Sequence, residues 1–417
     1  MSPAARPTSN PFAGGGVAVV GQDFTDRAEE RAELVRALGT PRGHVVVVGP
    51  RRIGKTSLLL AVADDLRRKG RPVLYIDLWS ASTLEDVTTR LAREAAEQLG
   101  RTWSDLLGSL GRRLQLTFEV AASPDGRLVP VPSVTLREAP ATRQRARLVE
   151  TLDLLESLAK QRRTHLAVIL DEFQELEGLG AAEGRGGAGV MRQVRAAVQR
   201  HAHVTYAFAG SDRAVIDRLH RAADGPLHNF ARRLEIGPID PEHFARWIEE
   251  QCGRMGLAAR GMGGEIVAVA GPRTRDIRAL AEAVAEASRV GGRVTAATVT
   301  EGLVRLLRQR APEFDRRWKD CTAHQQNVLR AVAAEGERLT RGEVITQFGL
   351  GDSSLVAKAV RRLVGLEVLL KEGPRVAFDD PFFRAWVIRT ALPDVGITLP
   401  VTHVPGRTGG AGRRRRG

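Results

Sequence analysis

One short segment constrains the fold of this chain more than any other. In VVVVGPRRIGKTSLL, residues 45–59, an apolar run leads into two glycines that flank four residues, and a lysine follows the second glycine. The chain contains 57 arginines and only 6 lysines, so a lysine at this place is unusual for the protein itself. The residues that fit the pattern G-x-x-x-x-G-K-[ST] are Gly49, Pro50, Arg51, Arg52, Ile53, Gly54, Lys55 and Thr56.

The pattern indicates a loop that binds the phosphates of a nucleotide. Glycines allow backbone N–H groups to surround a phosphate, and the helix after the loop presents its positive N-terminus. Lys55 would reach the β- and γ-phosphates, Thr56 would ligate Mg²⁺, and Ser57 completes the predicted binding segment. The slim ammonium of a lysine fits beside a phosphate better than a planar guanidinium does. The sequence therefore predicts ATP and Mg²⁺ as cofactors.

A second segment supplies the carboxylates that such a site needs. LAVILDEFQEL, residues 166–176, is an apolar strand pattern that ends in two acids. Asp171 at the end of the strand would hold Mg²⁺, and Glu172 would orient the attacking water. Together with the phosphate loop, this pair predicts an Mg²⁺-dependent ATPase.

Strand and helix patterns alternate through the first half of the chain. Strands are predicted at 44–50, 71–79, 165–170, 204–211 and 232–239, with helices between them and one before them, at 24–39, capped by Thr25. This alternation predicts an α/β fold, a parallel sheet with helices on both faces. Residues 114–136 interrupt it with two extended stretches around Pro-Asp-Gly, which predicts an inserted hairpin. A glycine-rich loop is predicted at 178–189.

Beyond Asp240 the strand pattern stops, and helices are predicted to about residue 310. Helical patterns at 322–335, 341–348 and 353–366, followed by VLLKEGPRVAFDD, predict a winged helix. The predicted divisions are a flexible N-terminal segment at 1–20, the nucleotide-binding domain at 21–240, a helical domain at 241–310, a winged-helix domain at 311–392 and a disordered basic tail at 393–417.

Composition narrows the range of partners. The net charge is 63 − 49 = +14, of which five charges lie at Arg407 and 413–416, so the remaining excess is spread rather than clustered. Cys252 and Cys321 show no metal-ligand spacing. No apolar run approaches the ~20 residues that span a bilayer, which predicts no membrane partner and a cytoplasmic location.

The order of these elements resembles the AAA+ superfamily, and specifically its STAND-like archaeal-type ATPases. The resemblance depends on the two motifs above together with NPF, FTDRAEE, AFAGSD, NFARRLEIGPID, AGPRTRDI and DDPFFRAWV. It implies that the helices at 241–310 form a lid. It also implies that Asp26 and Arg27 lie near the adenine.

The resemblance further implies three kinds of catalytic side chain. Ser211 would be the polar sensor after the fourth strand. Arg232 or Arg233 would be a finger that reaches the nucleotide of a neighbouring subunit, which requires an oligomer. Arg273, at the start of a lid helix, would be a second sensor at the γ-phosphate.

The role of the winged helix stays open at this point. The helix at 353–366 places Leu355 and other apolar residues on one face, and Lys358, Arg361 and Arg362 on the opposite face. Such a basic face would suit duplex DNA, but a protein client or an intramolecular contact fits as well. Two functions therefore remain, an ATP-hydrolysing switch and a DNA-binding initiator or regulator that uses ATP as a structural ligand.

Overall fold

The computed structural model describes most of the chain in two compact units. The described residues are 10–14, 18, 24–99, 119–122, 128–131, 141–182, 188–220, 225, 227–228, 230–288, 292–335, 339, 341–373 and 375–392. One unit comprises residues 18–237, and the other comprises 1–17 and 238–417. The predicted basic tail and most of the predicted flexible N-terminal segment lie outside the described residues.

The first unit is built on a five-stranded parallel sheet in the order β2-β5-β6-β1-β7. Its strands are β1 (Val45–Val48), β2 (Val73–Asp77), β5 (Leu166–Asp171), β6 (Val204–Gly210) and β7 (Arg232–Glu235). The inserted hairpin is formed by β3 (Glu119–Ala122) and β4 (Leu128–Val131), which pair antiparallel. All five predicted sheet strands and the hairpin are confirmed.

Seven described helices accompany this sheet. They are α1 (Ala28–Leu38), α2 (Lys55–Arg68), α3 (Leu84–Leu99), α4 (Ala141–Gln161), α5 (Glu175–Ala182), α6 (Ala188–Val198) and α7 (Arg213–His220). Two local predictions are wrong. Thr25 does not cap α1, because Arg27 occupies the cap position in a left-handed conformation. The predicted loop at 178–189 begins inside α5, because Leu179 packs against the hydrophobic core, and residues 183–187 of that loop lie outside the described residues.

The strands β1, β5 and β6 are buried on both faces, which explains why they are mostly apolar. In β1, Val46 and Val48 belong to one hydrophobic cluster, whereas Val45 and Val47 belong to another on the opposite face. Successive side chains of a strand point to opposite faces, so a run of four valines fits a strand covered on both sides. The α/β fold with helices on both faces is confirmed.

The second unit is mostly helical. Its helices are α8 (Pro241–Arg254), α9 (Met262–Ala270), α10 (Thr274–Ala287), α11 (Ala296–Lys319), α12 (Ala323–Glu335), α13 (Gly342–Phe348), α14 (Ser353–Gly365) and α15 (Pro381–Ala391), and its two-stranded wing is β8 (Leu369–Glu372) with β9 (Arg375–Phe378). The predicted boundary between 310 and 311 falls inside α11, which continues through Pro312. The helices α8 to α11 and the winged helix share one hydrophobic cluster.

Two apolar residues of this unit differ in burial from what the sequence predicts. Phe12, in the predicted flexible segment, is fully buried and meets the ring of Trp247 edge to face at 5.7 Å between centroids. Its aromatic ring gives the segment enough apolar surface to pack. Leu355, predicted on the buried face of α14, is 47% exposed because it lies in the first turn, outside the core that holds Val356. In the described ranges, no helix is long and apolar enough to cross a membrane.

Candidate nucleotide-binding site

The loop between β1 and α2 has the conformation that the motif predicts. Arg52 and Gly54 adopt positive φ angles of 66° and 96°, which turn the backbone tightly before the helix begins. Gly49 is needed for a different reason. A Cβ atom at this position would lie 2.6 Å from the carbonyl oxygen of Ile236, so the loop can pass over β7 only without a side chain.

Lys55 lies inside this loop rather than in solvent. It is only 5% exposed, and its Nζ donates to the carbonyl oxygens of Gly49 at 2.9 Å and Pro50 at 3.0 Å. Burial lowers the pKa of Lys55, while the charges of Glu172 and Asp171 act in the opposite direction. The ammonium is therefore held at the centre of the loop by two carbonyls and two nearby carboxylates.

Arg27 is hydrogen-bonded to the backbone at the phosphate loop. The side chain is 4% exposed, and its Nη2 donates to the carbonyl oxygens of Ile53 and Gly237, while Nη1 pairs with Glu30 at 3.0 Å. Asp26 beside it is exposed and has a positive φ of 62°. The contact of Asp26 and Arg27 with adenine stays a prediction, because the contacts seen for Arg27 are to the protein backbone and to Glu30.

Asp171 joins the two predicted motifs. Its Oδ2 accepts hydrogen bonds from Thr56 Oγ1 at 2.7 Å and from Tyr75 Oη at 2.9 Å, and its Oδ1 accepts from the N–H of Glu172 at 3.0 Å. Burial raises the pKa of Asp171, and the hydrogen bonds from Thr56 and Tyr75 oppose that shift. The hydroxyl and carboxylate predicted to ligate Mg²⁺ are thus in direct contact.

Glu172 is held in place by two neighbours. Its Oε2 accepts from Ser211 Oγ at 2.6 Å and from Gln174 Nε2 at 2.5 Å. The backbone of Glu172 has a φ of 50°, a left-handed conformation that costs roughly 1 kcal/mol in a residue other than glycine. Strain of this kind is common where a side chain must be aimed at a site. Ser211 and Glu172 therefore lie together, and the role of Ser211 as a sensor stays a prediction.

These residues fit ATP and Mg²⁺ by the chemistry of their donors. The N-terminus of α2 has no side-chain cap, so its first N–H groups face the loop as phosphate ligands require. Lys55 supplies the positive charge, and Thr56 with Asp171 supplies oxygen ligands of the kind that Mg²⁺ prefers. The side chain of Ile53 is buried in the core, so its contribution to the loop is its backbone.

The two arginines predicted as a finger, Arg232 and Arg233, lie away from this group of residues. Arg232 opposes Val45 and Arg233 opposes Val46, in the half of β1 farther from the loop. Arg232 is 68% exposed and pairs with Glu33 at 3.0 Å, whereas Arg233 is 12% exposed and pairs with Asp217 at 2.7 Å. A finger role for either arginine stays a prediction.

Arg273 lies in the second unit, at the N-cap position of α10. Its guanidinium makes two hydrogen bonds to the carboxylate of Asp379, with Nη1 to Oδ2 at 3.0 Å. The start of α10 is thereby joined to the winged helix. A role for Arg273 as a sensor stays a prediction.

The basic side chains of α14 are arranged as the sequence predicts. Lys358, Arg361 and Arg362 are exposed, while Val356 and Leu363 face the core. Asp352 caps the helix by accepting from the N–H groups of Ser354 and Leu355, at 2.8 and 2.9 Å. DNA binding by this face stays a prediction.

Two residues of the site were missed by reasoning from the sequence. Tyr75 is one of two tyrosines in the chain, and it lies on the strand next to Asp171. Gln174 is two residues beyond Glu172 in DEFQEL. Two signals in the sequence could have identified them. For Tyr75 the signal was a polar side chain within an apolar strand, and for Gln174 it was an amide within the second motif.

Comparison with known families agrees with this geometry. The model described as "ATPase domain predominantly from Archaea" matches residues 24–252, more than half of the chain. The chain belongs to this archaeal-type ATPase family. A second model, described as "Probable winged helix domain", matches residues 312–389.

Two solved structures share the fold. A Walker-type ATPase of Pyrococcus abyssi is 16% identical with a TM-score of 0.57, covering 88% of this chain and 96% of its own. The ORC2 protein of Aeropyrum pernix, in ADPNP–ADP complexes, is 13% identical with a TM-score of 0.55, covering 92% of this chain and 98% of its own. At these identities the likeness concerns the fold. No curated protein matches the sequence.

Proposed function

We propose that this archaeal-type ATPase binds ATP with Mg²⁺, hydrolyses it, and uses the nucleotide state to control its winged helix. The observation that carries the proposal is the contact between the two motifs, in which Thr56 donates to Asp171 at 2.7 Å beside the buried Lys55. A hydroxyl, a carboxylate and an ammonium converge where the loop would surround phosphates. That set is the minimum for binding a nucleotide with its metal ion.

Hydrolysis is supported by the position of Glu172. Its carboxylate is fixed by Ser211 and Gln174, so one oxygen is held while the other is left to orient and deprotonate a water molecule. Thr56 and Asp171 would hold Mg²⁺, which when bound would neutralise charge that develops on the phosphates. The loop amides and Lys55 would bind the β- and γ-phosphates.

A switch role is supported by the pairing of Arg273 with Asp379. Arg273 starts α10, and Asp379 immediately precedes the N-cap of α15, Asp380. Movement of Arg273 away from Asp379 would break this ion pair, which lies next to the start of α15 in the winged helix. We assign Arg273 as the residue through which nucleotide state reaches that domain.

The experiment that tests this function measures binding and turnover together. ATP affinity and phosphate release should be measured for the parent, with and without Mg²⁺ and with and without duplex DNA. Turnover that requires Mg²⁺ supports the proposal. Tight binding without phosphate release would contradict hydrolysis and favour a second candidate function.

The second candidate is a DNA-binding regulator that uses ATP mainly as a structural ligand. The observation that favours it is the exposed basic face of α14 formed by Lys358, Arg361 and Arg362. The ORC2 protein of Aeropyrum pernix, similar in fold, was solved with nucleotides bound. In this candidate, duplex DNA is the partner and phosphate contacts supply most of the affinity. A protein client at the same face is the competing partner.

A further inference from the structure

Trp79 is exposed in a way that core packing does not explain. Its side chain is 57% exposed, the largest value for a large hydrophobic residue in the described ranges. It lies just after β2, at the same carboxyl edge of the sheet as the phosphate loop. A tryptophan in solvent loses the stabilisation that burial would give, so its position here needs another reason.

The turn that carries Trp79 is fixed by hydrogen bonds. The N–H of Trp79 donates to Asp77 Oδ1 at 2.9 Å, and the N–H of Leu78 donates to the carbonyl oxygen of Asp171 at 3.0 Å. Arg90 donates to the carbonyl oxygen of Asp77 at 2.9 Å and to Ser80 Oγ at 2.8 Å. The indole is therefore presented from a rigid turn tied to the strand that ends at Asp171.

The group that the indole meets comes from the phosphate loop itself. The guanidinium carbon of Arg51 lies 5.0 Å from the centroid of the Trp79 ring, within the range of a cation–π interaction. Arg51 Nε also donates to Ser211 Oγ at 3.4 Å, a long bond. Ser211 in turn donates to Glu172 at 2.6 Å.

The strand order shows what the side chain of Arg51 crosses. It starts after β1 and ends over Trp79, just beyond β2, and the strands between these two are β6 and β5. Ser211 comes after β6, and Glu172 comes after β5. Arg51 therefore spans the carboxyl edge of the sheet, one hydroxyl group away from the carboxylate proposed to activate water.

We propose that Arg51 is a catalytic arginine that acts in cis on the γ-phosphoryl group, and that Trp79 is its positioning residue. The inference rests on the proposed hydrolysis of ATP. In that step the water oxygen bonds to the γ-phosphorus while the bond from that phosphorus to the β–γ bridging oxygen breaks. The electron pair leaves with ADP, and the water proton passes to Glu172.

The chemistry of this step suits a guanidinium at that place. Negative charge spreads over the equatorial oxygens of the phosphoryl group and its bridging oxygen, and a planar fork of N–H donors can contact two of them. A guanidinium keeps its donor edge available while its face lies on an aromatic ring. Trp79 would thus limit the motion of Arg51 without competing for its hydrogen bonds.

The test compares variants in binding and in single-turnover hydrolysis of ATP. Arg51→Ala should change the Kd for ATP by less than about 10-fold and slow hydrolysis by about 100-fold, the usual loss for one transition-state donor. Arg51→Lys should restore little, since an ammonium lacks the fork. Arg68→Ala is the matched control, because Arg68 is 65% exposed at the far end of α2, and its rate should equal that of the parent.

Trp79 is tested by a split between kcat and KM. Trp79→Ala should lower kcat by about 10-fold with KM nearly unchanged, and Trp79→Phe, which keeps an aromatic face, should recover most of the rate. A docking role for the indole would leave kcat of both variants at the parent value, and that result would overturn its assignment as a positioning residue.

Three outcomes would overturn the inference for Arg51. The first is hydrolysis by Arg51→Ala at the parent rate. The second is a loss confined to ATP affinity, which would make Arg51 a binding residue only. The third is parent activity per subunit that falls to zero on dilution, since the active arginine would then come from a neighbour. If the parent itself releases no phosphate, the proposed hydrolysis fails and this inference fails with it.

Discussion

Phe12→Ala should destabilise the second unit, although Phe12 precedes the first unit in the sequence. Phe12 is fully buried, and its ring packs edge to face with Trp247. The segment is also held by Arg278 Nη2, which donates to the carbonyl oxygen of Pro11 at 3.0 Å. Removing a buried phenyl ring costs about 3–5 kcal/mol, of which the aromatic pair accounts for about 1 kcal/mol.

The assay is equilibrium unfolding in urea followed by tryptophan fluorescence, with the parent and Phe12→Leu as references. Because the chain has two units, two transitions are expected, and ATP should shift most strongly that of the unit carrying the phosphate loop. Phe12→Ala should lower the other transition, and Phe12→Leu should lower it less. A change below about 1 kcal/mol for Phe12→Ala would refute the packing argument.

Three further predictions concern other parts of the molecule. Burial, with a smaller effect from nearby cationic groups, lowers the pKa of His44 to about 4 from 6.5. As the pH falls, the unfolded chain therefore binds a proton at His44 before the folded chain does. The free energy of unfolding should fall by about 2 kcal/mol from pH 7 to pH 5, and His44→Asn should remove this loss in urea titrations. If Arg232 serves a neighbour, hydrolysis per subunit should rise above its basal rate with protein concentration, and Arg232→Ala should abolish the rise; a parent rate independent of concentration contradicts this. Changing Lys358, Arg361 and Arg362 together to alanine should weaken duplex DNA binding and lower its log–log salt slope by about 3, measured by fluorescence anisotropy, and equal binding by the variant would favour a protein partner.

The fold could be predicted from the sequence because its signals are local. Four consecutive valines in β1 and the apolar run of β5 identify strands covered on both faces, and the loop motif requires a tight turn and a helix after β1. The carboxyl ends of those strands then had to meet at one edge of the sheet. Thr56 and Asp171, 115 residues apart, could be placed together on that basis alone.

Other features depend on contacts that no local pattern specifies. Phe12 looked like part of a flexible segment because its partner Trp247 is more than 200 residues away. The pairing of Arg51 with Trp79 required knowing that two loops converge over the ends of β5 and β6. The predicted boundary at 310/311 relied on where the local helical patterns were assigned, and these do not show that α11 passes through Pro312 without ending.

The central claim is that Lys55 binds ATP while Glu172 activates water. The most direct test measures ATP affinity and single-turnover hydrolysis side by side in the parent, Lys55→Ala and Glu172→Gln. We expect Lys55→Ala to remain folded and lose tight binding, because its ammonium lies at the centre of the loop. Glu172→Gln should bind ATP within about 3-fold of the parent and hydrolyse it at least about 100-fold more slowly. Parent-like binding by Lys55→Ala, or parent-like hydrolysis by Glu172→Gln, would contradict the account.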